Sequence, residues 1–337
     1  GNGFSVVGEF QYLHHQPDGT PYADAAEMSL RCLAAAERAG IAITILPTLY
    51  AFGGFGGQSP VAGQRRFIND ADRFLKIVSR LSIQEGPRTR VGISPHSLRA
   101  VTPELLRDVV AGLPADAPIH IHVAEQVKEV EDCIAAFGLR PVEMLLREFD
   151  LSDRWTAVHA THMTAVETEA LARSGAIAGL CPTTEANLGD GTFPAVDWMR
   201  HGGAIAVGSD SHITVSPSED LRMLEYSQRL AVRQRAVVSS DEVPSVGVSL
   251  VQAAVRGGAQ ASGRKLGGLA AGQRADVVTL DVEHPALVGR RGAEVVDSWL
   301  FSGEGNPVDG VWVGGRQVVA GGRHLGRERL GQGFARA

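Results

Sequence analysis

IHIHVAE, residues Ile119–Glu125, decides how this chain is read. Its first five residues form a short apolar run interrupted by histidine at alternate positions. His120 and His122 therefore share one face of a strand, with His122 nearer its end. The form returns twice. In AVHATH, His159 closes a run that begins at Trp155, and in AIAVGSDSH, Asp210 follows the run Ala204–Gly208. Compatible ligands at the carboxyl ends of separate strands point to one mouth of a (β/α) barrel, the face on which such folds build their sites. Imidazole and carboxylate are the usual ligands of a catalytic zinc, which keeps one position open for water.

Outward from these runs, strands and helices alternate, as a parallel sheet requires. Ser5–Leu13, Ile41–Leu46, Val91–Pro95, Ile119–Val123, Trp155–His159, Ala176–Cys181 and Ala204–Gly208 read as strands. Helical spacing covers Asp24–Ala39, Asn69–Leu81, Gln126–Phe137, Pro141–Phe149, Ala165–Arg173, Ser218–Arg235 and Val248–Ser262, with a further helix opened by Thr102, Pro103 and Glu104. Asp24 and Asn69 are the predicted N-caps of the first two, and Gly40 the stop of the first. Seven strand units are one short of a closed barrel. Gly1-Asn2-Gly3 reads as a helix C-terminal cap with no helix before it. The expectation is an α/β fold: a (β/α)8 TIM-type barrel lacking its first βα unit.

From Lys265 the texture changes. GGLAAGQRADVVTLD, VVDSWLF and VDGVWVGGRQVVAGGRH read as short strands between glycine turns, part of a small β domain. The expected boundaries are 1–264 for the barrel, 265–326 for the β-sandwich portion and 327–337 for a charged, Gly-rich, unstructured tail. The loop Ala51–Pro60 (AFGGFGGQSP) lacks the ending of a phosphate-binding loop and is expected to be a mobile cover over the barrel mouth.

The 337 residues carry a formal net charge of −6, with arginines scattered rather than clustered, which argues against nucleic acid or an anionic membrane as partner. Cys32, Cys133 and Cys181 form no CxxC pair and suit a reducing compartment. No stretch is long and apolar enough to span a membrane.

Each candidate residue has a plainer alternative. His122 and Glu125 form an H-x-x-E pair in which the carboxylate could shuttle protons, although a single histidine is more often a satisfied structural group. His159 or His162 faces the mouth, and the strand-end position favours His159. Asp210 is a ligand or an N-cap. Arg99, after the run at Val91–Pro95, is either a grip for a carboxylate or a surface arginine. Tyr12 offers a hydroxyl to the pocket or is a rim aromatic. His14 and His15 alternate in direction and read as loop residues. CPTTEANLGDG, with Glu185, Asn187 and Asp190, lines the pocket or turns the chain.

On the stretches EFQYLHHQPDGTPYAD, FGGQSPVAGQRRFIND, SPHSLRAVTPE, HIHVAEQVKEVEDC, AVHATHMT, ARSGAIAGLCPTTEANLGDG and GSDSHITVS, the chain resembles the amidohydrolase superfamily and, within it, the bacterial formimidoylglutamate deiminases. HSLRAVTP and PTTEANLGDG are more specific than the superfamily's metal pattern. The resemblance implies one divalent metal, zinc first, held by His122 and Asp210. Glu125 would be the proton shuttle, and His159 the histidine assisting at the reacting centre. Tyr12, His96 and Arg99 would bind a small substrate carrying carboxylates. It further implies a cytoplasmic homodimer in histidine degradation that converts N-formimino-L-glutamate to N-formyl-L-glutamate and ammonia. The family's His-x-His pair on the first barrel strand has no counterpart here, so the chain is expected to be N-terminally truncated. Two alternatives stand beside this: a related amidohydrolase that deaminates a purine or pyrimidine base, and an inactive, metal-free fragment.

Overall fold

The computed structural model describes residues 1–264, 267–303 and 305–336. Among the described residues there are three sheets, two parallel and one antiparallel.

The first parallel sheet joins β1 (Val6–Gln11), β2 (Ala42–Leu49), β3 (Thr89–Val91) and β4 (Ser94–Pro95). Its helices are α1 (Glu27–Ala39), α2 (Ala71–Ser82) and α3 (Pro103–Ala111). The second runs β5 (Ile119–Val123), β6 (Trp155–His159), β7 (Ile177–Leu180), β8 (Ala204–Val207). Between and after these strands lie α4 (Val127–Phe137), α5 (Pro141–Glu148), α6 (Ala165–Arg173), α7 (Pro182–Leu188), α8 (Ala195–Arg200), α9 (Pro217–Val232) and α10 (Val246–Ala261). Backbone bonds stitch the two sheets together: Ile93 N–H donates to Pro118 O (2.9 Å) and His120 N–H to Ile93 O (3.0 Å). The result is one parallel arc of seven strand units, β1 to β8, with β3 and β4 as two halves of one unit. Among the described residues no pairing joins β8 to β1, so the arc stays open at that seam.

The arc forms because its strands are apolar on both faces, as a helix-covered parallel sheet demands. Every residue of β2, β5 and β6 is buried. The core runs from Ile45, Leu49 and Phe74 through Ile119, Ile121 and Leu145 to Leu180 and Trp198. Each such side chain contributes roughly 1.5–3 kcal/mol when fully buried. Helix ends follow local chemistry. Thr102 caps α3 by accepting from Leu105 N, and Gly40 closes α1 in the left-handed conformation (φ 77°). The break between β3 and β4 falls at Gly92, where a Cβ would lie 2.5 Å from Pro118 O.

α10 packs on β8 with almost no space between the backbones: a Cβ at Gly257 would fall 1.9 Å from Ile205 O. Its carboxyl end crosses the floor of the arc, where Ala261 O bonds to His120 Nε2 (2.8 Å) and Ser262 O accepts from Thr44 Oγ1 (2.8 Å).

The third sheet, ordered β12-β11-β10-β9, contains β9 (Val277–Leu280), β10 (Val308–Val313), β11 (Arg316–Ala320) and β12 (Arg323–His324). Val308, Val311, Val313 and Val319 pack on Ala42 and Val6, so this sheet sits at the amino ends of β1 and β2, away from the mouth. The expected boundary after Arg264 touches residues 265 and 266, which lie outside the described residues.

Several expected elements differ. VVDSWLF is not a strand but part of α11 (Ala293–Phe301). An apolar run of this length fits either period, and here Leu300 is buried in the barrel core while Trp299 reaches both core clusters. The tail carries α12 (Arg327–Phe334) rather than lacking structure. α2 is capped by Asp70, which accepts from Arg73 N (2.8 Å), not by Asn69. α1 begins after Ala26, and Asp24 instead accepts from Ala26 N (3.0 Å).

Candidate functional site

The loops after β1, β4, β5, β6, β7 and β8 converge at the carboxyl ends of the strands. β5 ends at Val123, and its pleat turns His120 and His122 to the same side at different depths. His120 is buried against α10 and spends Nε2 on Ala261 O, so the structural role holds for it. His122 bonds through Nδ1 to the carbonyl of His96 (2.8 Å). A carbonyl only accepts, so Nδ1 carries the proton and Nε2 is left as a lone pair. Fixing a ring this way is what a metal-ligating histidine requires.

Around His122 the predicted residues make a continuous chain of contacts. Its ring lies 5.1 Å from that of His96 and 5.6 Å from that of His159, centroid to centroid. His96 shares a hydrogen bond with Tyr12 Oη (2.9 Å). Glu125 stands between His159 Nε2 (3.8 Å) and Arg99 Nη2 (3.9 Å). The Arg99 Nε is buried without a hydrogen-bond partner among the described residues.

Asp210 is the outlier. It is solvent-exposed in the turn after β8, although its charge acts on Tyr12, Glu125 and His159, which places it at the rim of the same pocket. The strand ends here are strained. Ala124 (φ 50°), His159 (φ 65°), Ala160 (φ 47°) and Asp210 (φ 41°) all have left-handed backbones without being glycine. Such positions cost about 1–3 kcal/mol each and cluster where side chains must be aimed.

Burial sets the charge states. Desolvation, then the nearby Arg99 and His159, hold His96 at about 3, so it is neutral. Desolvation and the neighbouring His96 and His159 keep His122 well below the usual histidine range, the neutral form a metal needs. Glu125 is pushed up by burial, with His159 opposing. Burial pulls His159 down, but the bond to Glu185 and the charges of Glu125, Glu185 and Asp210 outweigh it, and its pKa is raised overall.

His162, the alternative to His159, bonds through Nε2 to Asp190 O (2.6 Å). His14 and His15 lie in the loop after β1, as expected, and are buried there, bonded to Thr48 O and Ile68 O. The loop Ala51–Pro60 folds on itself through Gly53 N–H to Gln58 O (2.8 Å) and seats Phe55 against Phe137.

Two pocket residues were not singled out from sequence. Tyr50 stacks on His96 (4.9 Å, 21°) and accepts from Gln64 Nε2 (2.9 Å). Cys181 lies with His159 and Glu185 so that one ligand atom from each falls within 4.8 Å of the others. CPTTEANLGDG is not only a turn: α7 starts with Pro182 and ends at Gly189 in the left-handed conformation. Proline at the first helical position and glycine just past the end were a legible signal for that helix.

The amidohydrolase family model matches residues 2–318. The chain belongs to the amidohydrolase family. Among family relatives, it is 49% identical over 333 residues to the formimidoylglutamate deiminase of Pseudomonas aeruginosa, covering 98% of this chain and 74% of that enzyme. It is 30% identical to the 5-methylthioadenosine/S-adenosylhomocysteine deaminase of Moorella thermoacetica, over 68% of this chain and 53% of that one. The solved amidohydrolase from Brucella melitensis superposes with a TM-score of 0.93 at 51% identity, over 99% of this chain and 74% of that structure. An atrazine chlorohydrolase from Arthrobacter aurescens, solved with zinc, shares the fold (TM-score 0.79, 21% identity, 98% and 72% covered). These amidohydrolase neighbours give the open parallel arc its class, that of the TIM-type barrel.

Proposed function

We propose that this amidohydrolase hydrolyses the formimino group of N-formimino-L-glutamate to give N-formyl-L-glutamate and ammonia. The carrying observation is the Arg99–Glu125–His159 row: a cation with a buried unpartnered Nε beside a carboxylate of raised pKa, itself beside a buried histidine. The likeness to the Pseudomonas aeruginosa enzyme supports the substrate.

His122 Nε2 and the Asp210 carboxylate are the groups that would hold a divalent metal, and the locked, neutral His122 ring fits that role. The zinc in the Arthrobacter aurescens neighbour supports zinc as that metal. Such an ion, when bound, would lower the pKa of a water held beside it. Arg99, with Tyr12 and His96, grips the substrate carboxylates and so orients the formimino carbon. Glu125 takes one proton as the water oxygen bonds to that carbon and delivers it to the imino nitrogen; it then carries the remaining hydroxyl proton to the same nitrogen as the C–N bond breaks, so that ammonia leaves and the formyl C=O forms. His159 Nε2, which carries a proton when the ring is charged, donates to the oxygen as the carbon becomes tetrahedral. The three cysteines are free, which suits a reducing compartment such as the cytoplasm; the homodimer and the place in histidine catabolism rest on the resemblance to the formimidoylglutamate deiminases alone.

The test is ammonia release from N-formimino-L-glutamate beside guanine, cytosine and adenosine. Release from the amino-acid substrate alone supports the reading. Release from a base instead assigns the chain to the base-deaminating branch, and release from neither assigns it no hydrolytic turnover.

A further inference from the structure

His159 is almost completely buried (1% exposed), and its ring is held from behind by one side chain. Nδ1 lies 3.2 Å from Glu185 Oε1. The same oxygen accepts from the backbone N–H of Cys181 (2.9 Å), where β7 runs into α7. Glu185 is itself 5% exposed and sits in the first turn of α7, so the geometry is fixed by the fold rather than by a mobile surface chain. A carboxylate only accepts, which puts a proton on Nδ1 in the neutral ring, while Nε2 takes the second proton when the ring charges. Nε2 is then the atom left toward Glu125, 3.8 Å away.

We propose that Glu185 is a positioning residue whose carboxylate holds the His159 ring in the orientation and tautomer that turn Nε2 into the pocket. The pieces come from three units: His159 ends β6, Glu185 is on the helix after β7, and Glu125 follows β5. A backbone at φ 65° aims His159, and Glu185 removes the remaining freedom, rotation of the ring about its own bond. Without that acceptor the Nδ1 proton would be buried unpaired, and the ring would gain by flipping or by moving its proton to Nε2. Partners of this kind behind a functional histidine are worth about 10–100-fold in function.

The experiment compares wild type, Glu185→Gln and Glu185→Ala. The amide oxygen of Gln can still accept from both Nδ1–H and Cys181 N–H, so it is the conservative variant. The first readout needs no substrate: 15N spectra of histidine-labelled protein. At a pH above that of the ring's titration, wild type and Glu185→Gln should show His159 protonated at Nδ1, and Glu185→Ala should show a mixture of tautomers. The second readout is turnover of N-formimino-L-glutamate, and only this part rests on the function proposed above. Glu185→Ala should lose about 10–100-fold in kcat with KM changed less than about threefold, and Glu185→Gln should recover most of it. An unchanged His159 tautomer in Glu185→Ala overturns the proposal. Equal kinetic loss in both variants, with the tautomer kept, reduces Glu185 to a packing role. A tautomer shift without turnover in any form, wild type included, leaves the dyad standing and removes the proposed function instead.

Discussion

The carboxylate of Glu129 accepts from two successive backbone N–H groups, those of Ala124 (3.1 Å) and Glu125 (3.0 Å). Ala124 is one of the strained residues, and Glu125 is the carboxylate beside Arg99 and His159. A buried side chain one turn into α4 thus fixes the turn that presents Glu125. Glu129→Gln keeps one acceptor and turns an N–H toward a backbone N–H. It is expected to lower stability by about 1–3 kcal/mol in denaturant unfolding and to reduce kcat more than it raises KM. An unchanged unfolding midpoint would mean the turn holds without Glu129.

Glu125 and Arg99 should separate chemistry from binding. Glu125→Gln should abolish most turnover while metal content stays at the wild-type level. Arg99→Ala should mainly raise KM, by about tenfold or more, the worth of a charge-assisted bond. Near-wild-type rates in Glu125→Gln would remove the proton-shuttle role.

Chelation should remove ammonia release, and added zinc should restore it. Metal analysis of His122→Ala and Asp210→Asn should show less bound ion than wild type. Equal content in Asp210→Asn would take that exposed residue out of the ligand set.

Asp220 caps the start of α7 by accepting from Thr183 Oγ1 (2.8 Å) and, more weakly, from Thr183 N. Burial outweighs these bonds and raises its pKa to about 7. The folded protein therefore binds a proton more tightly at this carboxyl than the unfolded chain does. Its contribution to stability is full below about pH 4, falls as pH rises and is gone above about 7. Asp220→Asn should flatten stability between those limits and be the more stable protein at pH 8. The check is urea unfolding at several pH values, and parallel curves for the two proteins would show that Asp220 does not titrate abnormally.

Gly257 and Gly258 are adjacent in α10 but differ in what they touch. A Cβ at Gly257 meets Ile205 O at 1.9 Å, whereas one at Gly258 meets nothing within 4 Å. Gly257→Ala is expected to cost about 3 kcal/mol or more, or to prevent folding. Gly258→Ala should gain up to about 1 kcal/mol from helix propensity. Similar unfolding temperatures for the two would contradict the close seating of α10 on β8.

What local sequence could determine, it determined well. Ile119–Val123 and Trp155–His159 match the strands residue for residue, because an apolar run stiff with β-branched residues and bounded by polar chain has few other forms. Ala165–Arg173 matches as closely, framed by Thr164 and Glu167 in a capping box. Strand-end placement also named His122, His159 and Glu125 as candidates, and the fold brings them side by side, since a barrel sends every such end to one mouth. Tertiary structure alone decided the rest. VVDSWLF could be helix or strand until packing put Leu300 in the barrel core. His120 and His122 are the same residue two places apart, and only the position of α10 makes one structural. Glu185 carries no sequence mark of its role toward His159, because that partner lies on the neighbouring strand and linear spacing does not encode a distance across a sheet. Glu129 bonds four and five residues back, but that this steadies the strained turn presenting Glu125 is decided by the folded backbone.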